Sequence, residues 1–413
     1  MRSVIGSGSF PMELALLKAC HRAIVRILTL PDTHPLHQIS KKAKESPPDK
    51  HHSPIDQLLK TFKLRNAKIE TIDPATQNRA TETRFTTQIA DSREASIILE
   101  SVDDADYRVY SDGSGQENDI GASAILYKKG YARPLKSLQQ HLGPKTRHNT
   151  FEAEAVGAIL ALWLVRNTQD AIGKRVSMYI DNQAVIKSLL GAKPTSGQHL
   201  INAIRLAANA IPSRLAIKWI SSHSEVKGNE AADKLAKAAA QGRSSRTVDL
   251  PHILRTPLPA SASATKQNYH AKLNKLWIKS WLSSPRKDRF SQIDADFPFN
   301  RFRKKLFTLT RKQTSLVMQI RTGHIPLNFY LRRIGKADSD RCTSCYAGPN
   351  PVQITESINH FLFDCQAHDV ARQELITKIG RRHFSLKKIM TDTDYLKALV
   401  TYINRTGRFR EDV

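Results

Sequence analysis

The chain has 413 residues and carries 64 Lys and Arg against 38 Asp and Glu, a formal net charge of +26. That length leaves room for two or three domains with cores of their own. The charge favours a polyanionic partner, nucleic acid first and an anionic membrane surface second. No run approaches 18 apolar residues, which argues against a spanning helix, and four cysteines in so long a chain do not read as a disulfide framework. An intracellular protein with reduced thiols, nuclear or cytoplasmic and not secreted, is expected.

In chain order, residues 11–30 (PMELALLKACHRAIVRILTL) have helical spacing, with Leu14, Leu17, Ile24, Ile27 and Leu28 on one stripe. Lys, His and Arg interrupt that run, which argues against a secretory signal. The glycines of IGSGSF lack the second half of a phosphate loop. KKAKESPPDKHHSP reads as a polar linker, residues 55–62 (IDQLLKTF) as a short amphipathic helix, and residues 76–93 show no clear period. From Tyr107 the pattern sharpens. YRVYSD alternates as a strand, and GASAILYKKGYARPLKSL reads as two strands with a turn at Lys129-Gly130. NTFEAEAVGAILALWLV is a strong helix capped by Asn149 or Thr150, with Phe151, Ala155, Ile159 and Leu162 on one face. KRVSMYID is a strand followed by a short helix from Asn182 to Leu190; SGQHLINAIRLAANAI is a helix and RLAIKWIS a strand. GNEAADKLAKAAAQG is a last helix, capped by Asn229 and stopped by Gly242. The order βββαβααβα predicts an α/β fold with a mixed five-stranded sheet flanked by helices.

Asp112 ends the first of these strands and Asp181 the fourth. If the two are adjacent and parallel, both carboxylates stand at the carboxyl end of the sheet, where active sites form in such folds. Glu154 and Asp233, each placed in the first turn of its helix, can face the same edge. Four carboxylates without an intervening cation repel one another at neutral pH, and a hard divalent ion such as Mg²⁺ is the natural remedy. A pair of such ions suits phosphodiester hydrolysis. Taken singly, each residue has an ordinary reading: a turn Asp, a capping Asp, a solvated helical Glu.

In order and spacing, YSDGS, FEAEAVGAILAL, YIDNQAV and WISSHSEVKGNEAADKLA resemble the motifs of the type 1 ribonuclease H domain, most closely the version in polyproteins of fungal non-LTR retrotransposons. The resemblance covers about residues 107–242. It implies that Asp112, Glu154, Asp181 and Asp233 bind two Mg²⁺ ions, with substitution by Mn²⁺ left open. It also implies that His223 shuttles a proton or helps product leave, and that the substrate is the RNA strand of an RNA–DNA hybrid. Gly113, Ser114, Asn182 and Asn229 stand as candidate backbone or substrate contacts. Two features depart from the family pattern: Glu225 occupies a position usually held by Gly, and ISSH replaces the usual Pro-Gly lead into the histidine. No basic insertion of the kind that grips hybrid lies between the two helices after Asp181, so grip must come from elsewhere.

After Gly242, RSSRTVDLPHILRTPLPASASA reads as a linker over 244–265. Residues 266–340 read as a basic helical region. Between Arg243 and Arg341 there are 21 Lys and Arg against six Asp, a net +15, which with interleaved Phe, Leu and Tyr favours contact with RNA or DNA over a merely solvated face. Cys342, Cys345, His360 and Cys365 form C-x2-C-x14-H-x4-C, a spacing suited to a structural Zn²⁺. It resembles the knuckle-like end of the same polyproteins, over 341–368, ahead of a helical tail at 369–413. Cys20 stands apart. The first hundred residues resemble the segment that follows a reverse-transcriptase core, yet no Tyr-x-Asp-Asp motif is present, so a polyprotein piece without polymerase activity is expected, and whether a partner chain supplies a polymerase is left open. The expected function is therefore a ribonuclease H domain at 103–243 that cuts hybrid. The rival is a nucleic-acid-binding remnant without catalysis.

Overall fold

The computed structural model describes residues 10–45, 53–73, 83–191, 194–222, 224–291, 293, 301–346 and 353–409. It divides into two compact units, one of Lys18–Ala271 and one combining Met1–Leu17 with Lys272–Val413.

Among the described residues three helices precede the sheet: α1 (Met12–Leu28), α2 (Pro35–Glu45) and α3 (Pro54–Thr61). Ile24, Val25 and Leu28 of α1 bury against Ala43, Leu59 and Leu64; of the expected stripe only Ile24 and Leu28 join this cluster, while Leu17 and Ile27 are half-buried and Leu14 packs on Trp277, Trp281 and Phe290. α2 takes in Lys41–Glu45, so the first part of the expected polar linker is helical. α3 begins at a Ser53 cap whose side chain accepts the Asp56 N–H, with Pro54 at the first helical position.

The sheet has six strands, one more than the sequence predicts: β1 (Phe85–Gln88) pairs parallel to the last strand, Phe85 opposite Leu215. Helix α4 (Arg93–Ser101) follows it. Then come β2 (Tyr107–Gln116), β3 (Asp119–Lys128) and β4 (Lys136–Pro144) as an antiparallel meander. Next are α5 (Thr150–Arg166), β5 (Arg175–Ile180), α6 (Gln183–Leu190), α7 (Gln198–Ala210), β6 (Arg214–Trp219) and α8 (Lys227–Ala240). The spatial order is β1-β6-β5-β2-β3-β4, with β2 parallel to β5 and β5 parallel to β6. α5 is apolar nearly all round, as a helix packed on a sheet and under other helices must be.

On the sheet face that α8 also covers, Tyr110 and Tyr179 stack at 5.1 Å and pack with Ile220 and Ala232. The Tyr110 hydroxyl donates to Glu100 and the Tyr179 hydroxyl to Asp103, each at 2.5 Å. Residues 244–265, expected as a linker, pack instead: Leu250, Leu254 and Leu258 join the main core and Ala262 the α1 cluster. Prolines hide this in the sequence, because they punctuate a chain that still buries its leucines.

The second unit is helical. After α9 (Ala262–Leu282), which begins in the first unit, come α10 (Lys287–Ser291), α11 (Arg301–Leu306), α12 (Arg311–Thr322), α13 (Asn328–Arg333) and α14 (Thr343–Tyr346), and later α15 (Asp369–Ile379), α16 (Leu386–Ile389) and α17 (Thr393–Thr406). Its core joins Leu316, Val317 and Ile320 to Phe361, Leu375, Leu399 and Tyr402. Among the described residues no helix is long and apolar enough to cross a membrane.

Candidate metal centres

β2 and β5 pair from Tyr107 opposite Val176 to Ser111 opposite Ile180, so the next residue of each, Asp112 and Asp181, emerges at the same carboxyl end. The expected parallel neighbours are neighbours. β2 does not stop at Asp112, however. It runs on to Gln116 in a hairpin with β3, because only its pairing with β5 ends there. Glu154 arrives as the fifth residue of α5, one turn deeper than expected. The start of α5 is fixed by a capping box: Asn149 Oδ1 accepts the Glu152 N–H at 2.9 Å and Glu152 accepts the Asn149 N–H at 3.0 Å. α5 can lie this close to β2 only because Gly113 has no side chain; a Cβ there would fall 2.3 Å from the Glu154 nitrogen.

One oxygen each of Asp112, Glu154 and Asp181 lies within 4.8 Å of the others. Burial pushes the Asp112 carboxyl up to about 8, helped by the charges of Asp181 and Asp233 and opposed by Lys237 and the Gly113 N–H. Burial also drives Glu154 well above the usual carboxylate range, with Asp181 and Asp112 repelling it. Glu154 Oε2 is buried without a hydrogen-bond partner among the described residues. Three clustered oxygens, raised carboxyls and an orphaned acceptor are what a hard cation with oxygen ligands would relieve, so the donor set fits Mg²⁺.

Asp233 stands apart from this trio. It is the seventh residue of α8, because the helix begins at Lys227 after Val226 instead of at an Asn229 cap. Its carboxylate pairs with Lys237 Nζ at 2.6 Å. Asn229 is therefore inside the first turn, 3% exposed, with its Oδ1 unpartnered among the described residues. Asn182 caps α6 through the Ala184 N–H at 2.9 Å, and Ser114 lies in β2 opposite Gly121. His223 lies outside the described residues. Two neighbours beyond it, Glu225 adopts φ +61, the left-handed region that favours glycine. The sequence reading missed Lys237, although DKLAK carries the i, i+4 Asp–Lys signal. It also missed Trp219, whose indole N–H donates to the Asp181 carbonyl at 2.9 Å and holds that corner of the site.

Residues 104–241 match the family model described as RNase H. This RNase H domain holds the carboxylate trio and takes up a third of the chain. No curated protein matches the chain. Among similar solved structures is the N-terminal RNase H domain of a Mycobacterium tuberculosis protein fused to maltose-binding protein, 17% identical, TM-score 0.28, with 33% of this chain and 95% of that one covered. RNase H1 of the halophilic archaeon Halobacterium salinarum is 21% identical, TM-score 0.27, covering 33% and 98%. A foamy viral protease-reverse transcriptase in complex with RNA/DNA hybrid is 16% identical, TM-score 0.28, covering 49% of this chain and 28% of that one.

The second unit brings together Cys342, Cys345, His360 and Cys365. Cys342 sits just after a bridge between Arg341 and Thr355 and donates its N–H to the Ile354 carbonyl at 2.8 Å. Cys365 Sγ lies 3.9 Å from Cys342 Sγ and 3.8 Å from Cys345 Sγ, and Cys345 Sγ lies 3.5 Å from His360 Nε2. A tetrahedron with Zn–S near 2.3 Å and Zn–N near 2.0–2.1 Å has S–S edges of about 3.8 Å and S–N edges of about 3.5 Å. The three distances match those edges, and no disulfide joins the thiols. Burial pushes Cys365 up to about 12, with Cys342 adding to it, and burial raises Cys342 as well. Closely packed thiols held so far from ionising fit a metal ion that displaces their protons.

Proposed function

We propose that the chain is an endonuclease that hydrolyses the RNA strand of RNA–DNA hybrids, with Asp112, Glu154 and Asp181 as the main cation ligands. The observation that carries this reading is the meeting of those three carboxylates at the carboxyl ends of the parallel strands β2 and β5. The RNase H family match over the same residues supports it. When bound there, a Mg²⁺ pair would supply an activated water and stabilise the leaving oxygen. The chain's own residues do the rest. Asp112 and Asp181 present oxygens from the two strand ends, and Glu154 brings its buried oxygen from α5. Trp219 and the Asn182 cap fix the turn after Asp181, so its carboxylate starts from a set position. Asp233 becomes a ligand only after exchanging Lys237 for the cation. Lys237 would then be available to a phosphate. His223 is assigned proton transfer or product release and Ser114 contact with the substrate strand, whereas Asn229, buried inside the first turn of α8, is withdrawn as a substrate contact.

In the second unit, Cys342, Cys345, His360 and Cys365 would hold a structural Zn²⁺, and the basic helices would supply grip on nucleic acid. The resemblance to retrotransposon polyproteins makes a polymerase-bearing partner chain part of this reading. Incubating a labelled hybrid with Mg²⁺ and analysing the product ends tests the chemistry: 3′-hydroxyl and 5′-phosphate ends are expected, and cyclic phosphate ends would contradict metal-assisted hydrolysis. A second reading, a binding module without catalysis, draws on the Asp233–Lys237 pair and the left-handed Glu225. Hybrid binding without cleavage in both Mg²⁺ and Mn²⁺ would favour it.

A further inference from the structure

The second unit forms a half-open cavity of about 700 Å³, within the range of clefts that bury small ligands, ~300–1,000 Å³. α12 ends at Gly323, φ +74, and the chain turns through His324 before α13 begins. The end of one helix, the start of the next and the stretch ahead of His360 together wall the space.

Among the described residues three arginines line it, Arg286, Arg321 and Arg333, with one carboxylate, Glu356. Glu356 is 2% exposed. It is held by Arg408 through two hydrogen bonds of 2.7 and 2.9 Å, and it accepts the Asn328 N–H at 2.7 Å. Its charge is thus compensated inside the fold, and the cavity presents a cationic lining. Arg321 is buried, its guanidinium 3.7 Å from the centre of the Phe302 ring and 4.9 Å from that of Phe290. Aromatic faces line the same space. The Arg333 guanidinium sits 5.1 Å over the Tyr330 ring, the His324 ring meets Tyr330 edge-on at 5.2 Å, and Phe329 is 45% exposed.

A ligand matching both features joins an aromatic face to an anionic group within a few ångströms. An acidic peptide supplies charge without a ring, and a paired duplex keeps its base faces stacked on one another. An unpaired nucleotide has a free π-face and a phosphate. We propose that this cavity takes an unpaired nucleotide of a single-stranded RNA or DNA segment, its base against Tyr330 and its phosphate on Arg333 and Arg286. The proposal rests on the nucleic-acid reading of the chain for its ligand class alone; the carboxylate site takes no part in it.

The test is fluorescence anisotropy of the full-length protein with a short labelled single-stranded RNA, the same sequence as DNA, and the blunt duplex. Tyr330→Ala should weaken single-strand binding about five- to hundredfold and leave duplex binding within about twofold, and Tyr330→Trp should restore it. Arg333→Ala should act in the same direction. Arg332→Ala should not, because Arg332 pairs with Asp340 at 3.2 Å and does not line the cavity. Equal loss on single strand and duplex, or no change with Tyr330→Ala and Arg333→Ala, would overturn the proposal. A wild-type readout guards against misfolded variants: a 4-thiouridine RNA should photocrosslink to the peptide holding Tyr330, and crosslinks confined to other peptides would count against it. Hybrid cleavage on the same preparation separates the two readings, since cleavage intact in Tyr330→Ala with no single-strand effect sinks the cavity alone.

Discussion

Replacing Asp112 by Asn should stabilise the cation-free protein while abolishing its chemistry. The Asp112 carboxyl is 6% exposed and its pKa is pushed up to about 8, whereas in an unfolded chain it titrates near 3.9. Between those values the folded state keeps a proton that the unfolded state has lost. Stability from this group is therefore complete below about pH 4 and falls steadily as pH rises to about 8. At pH 7.5 the accumulated cost approaches 5 kcal/mol, taking about 1.4 kcal/mol for each tenfold change in the proton equilibrium. An amide is itself costly to bury, so a net gain of about 2–3 kcal/mol is expected. For a unit of this size each kcal/mol moves the melting temperature by about 2–4 °C. Calorimetry of the full chain in EDTA should show the Asp112→Asn transition about 5–10 °C above wild type at pH 7.5, with the gap closing toward pH 5. Added Mg²⁺ should raise wild type and leave the variant unmoved. A variant melting at or below wild type in EDTA at pH 7.5 would refute the argument that uncompensated carboxylate charge is stored at this site.

Other expectations follow from single contacts. Burial alone would raise Glu70, but the His199 ring 3.4 Å away and hydrogen bonds from Ser196, Gly197 and Ala262 overcome it and hold the carboxyl below its usual range; the last two bonds are 2.6 and 2.7 Å long. Glu70→Ala should cost about 2–4 kcal/mol in urea unfolding, an effect present above the ordinary carboxylate pKa and fading as pH falls through the lowered folded value. Glu225→Gly removes roughly 1–2 kcal/mol of left-handed strain while adding about 0.5–1 kcal/mol of unfolded-state entropy. Its stability should therefore rise by about 0–1.5 kcal/mol; if the side chain at this left-handed position slows the loop beside the site, turnover of Glu225→Gly should equal or exceed wild type, and a lower turnover would contradict that. Lys237→Ala frees Asp233 and should tighten the apparent Mg²⁺ affinity in a titration of cleavage rate. Chelating zinc, or replacing Cys365 by Ala, should lower the melting transition of the second unit without moving the Mg²⁺-sensitive one; elemental analysis finding no zinc in purified protein would dismiss the tetrahedral site.

Much of the site was legible because the decisive residues close short, well-patterned elements. YRVYSD and KRVSMYID each end a β-rich run on an aspartate, and their parallel pairing follows from the helix between them. β1 was invisible because FTTQ is four residues long and only Phe85 is fully buried. The cap of α8 was misplaced for a physical reason. Asn is a favoured cap, but Gly228 packs so tightly on the Tyr110 ring that a Cβ would come within 2.3 Å of it, and this packing keeps the turn before Asn229 helical. The Gly113 and Gly115 positions look like a strand end, yet cross-strand pairing with β3 carries the strand past both. The tyrosine–carboxylate pairs joining Tyr110 to Glu100 and Tyr179 to Asp103 depend on which residues meet across the fold, and no local pattern announces them.

The central claim is that Asp112, Glu154 and Asp181 form a working hydrolytic centre. Cleavage of a labelled RNA–DNA hybrid with Mg²⁺, beside single-stranded RNA and duplex DNA, for wild type and Asp181→Asn, tests it most directly. Cutting of the hybrid's RNA strand by wild type, lost in Asp181→Asn, is the predicted result. Cutting that persists undiminished in Asp181→Asn would contradict the account.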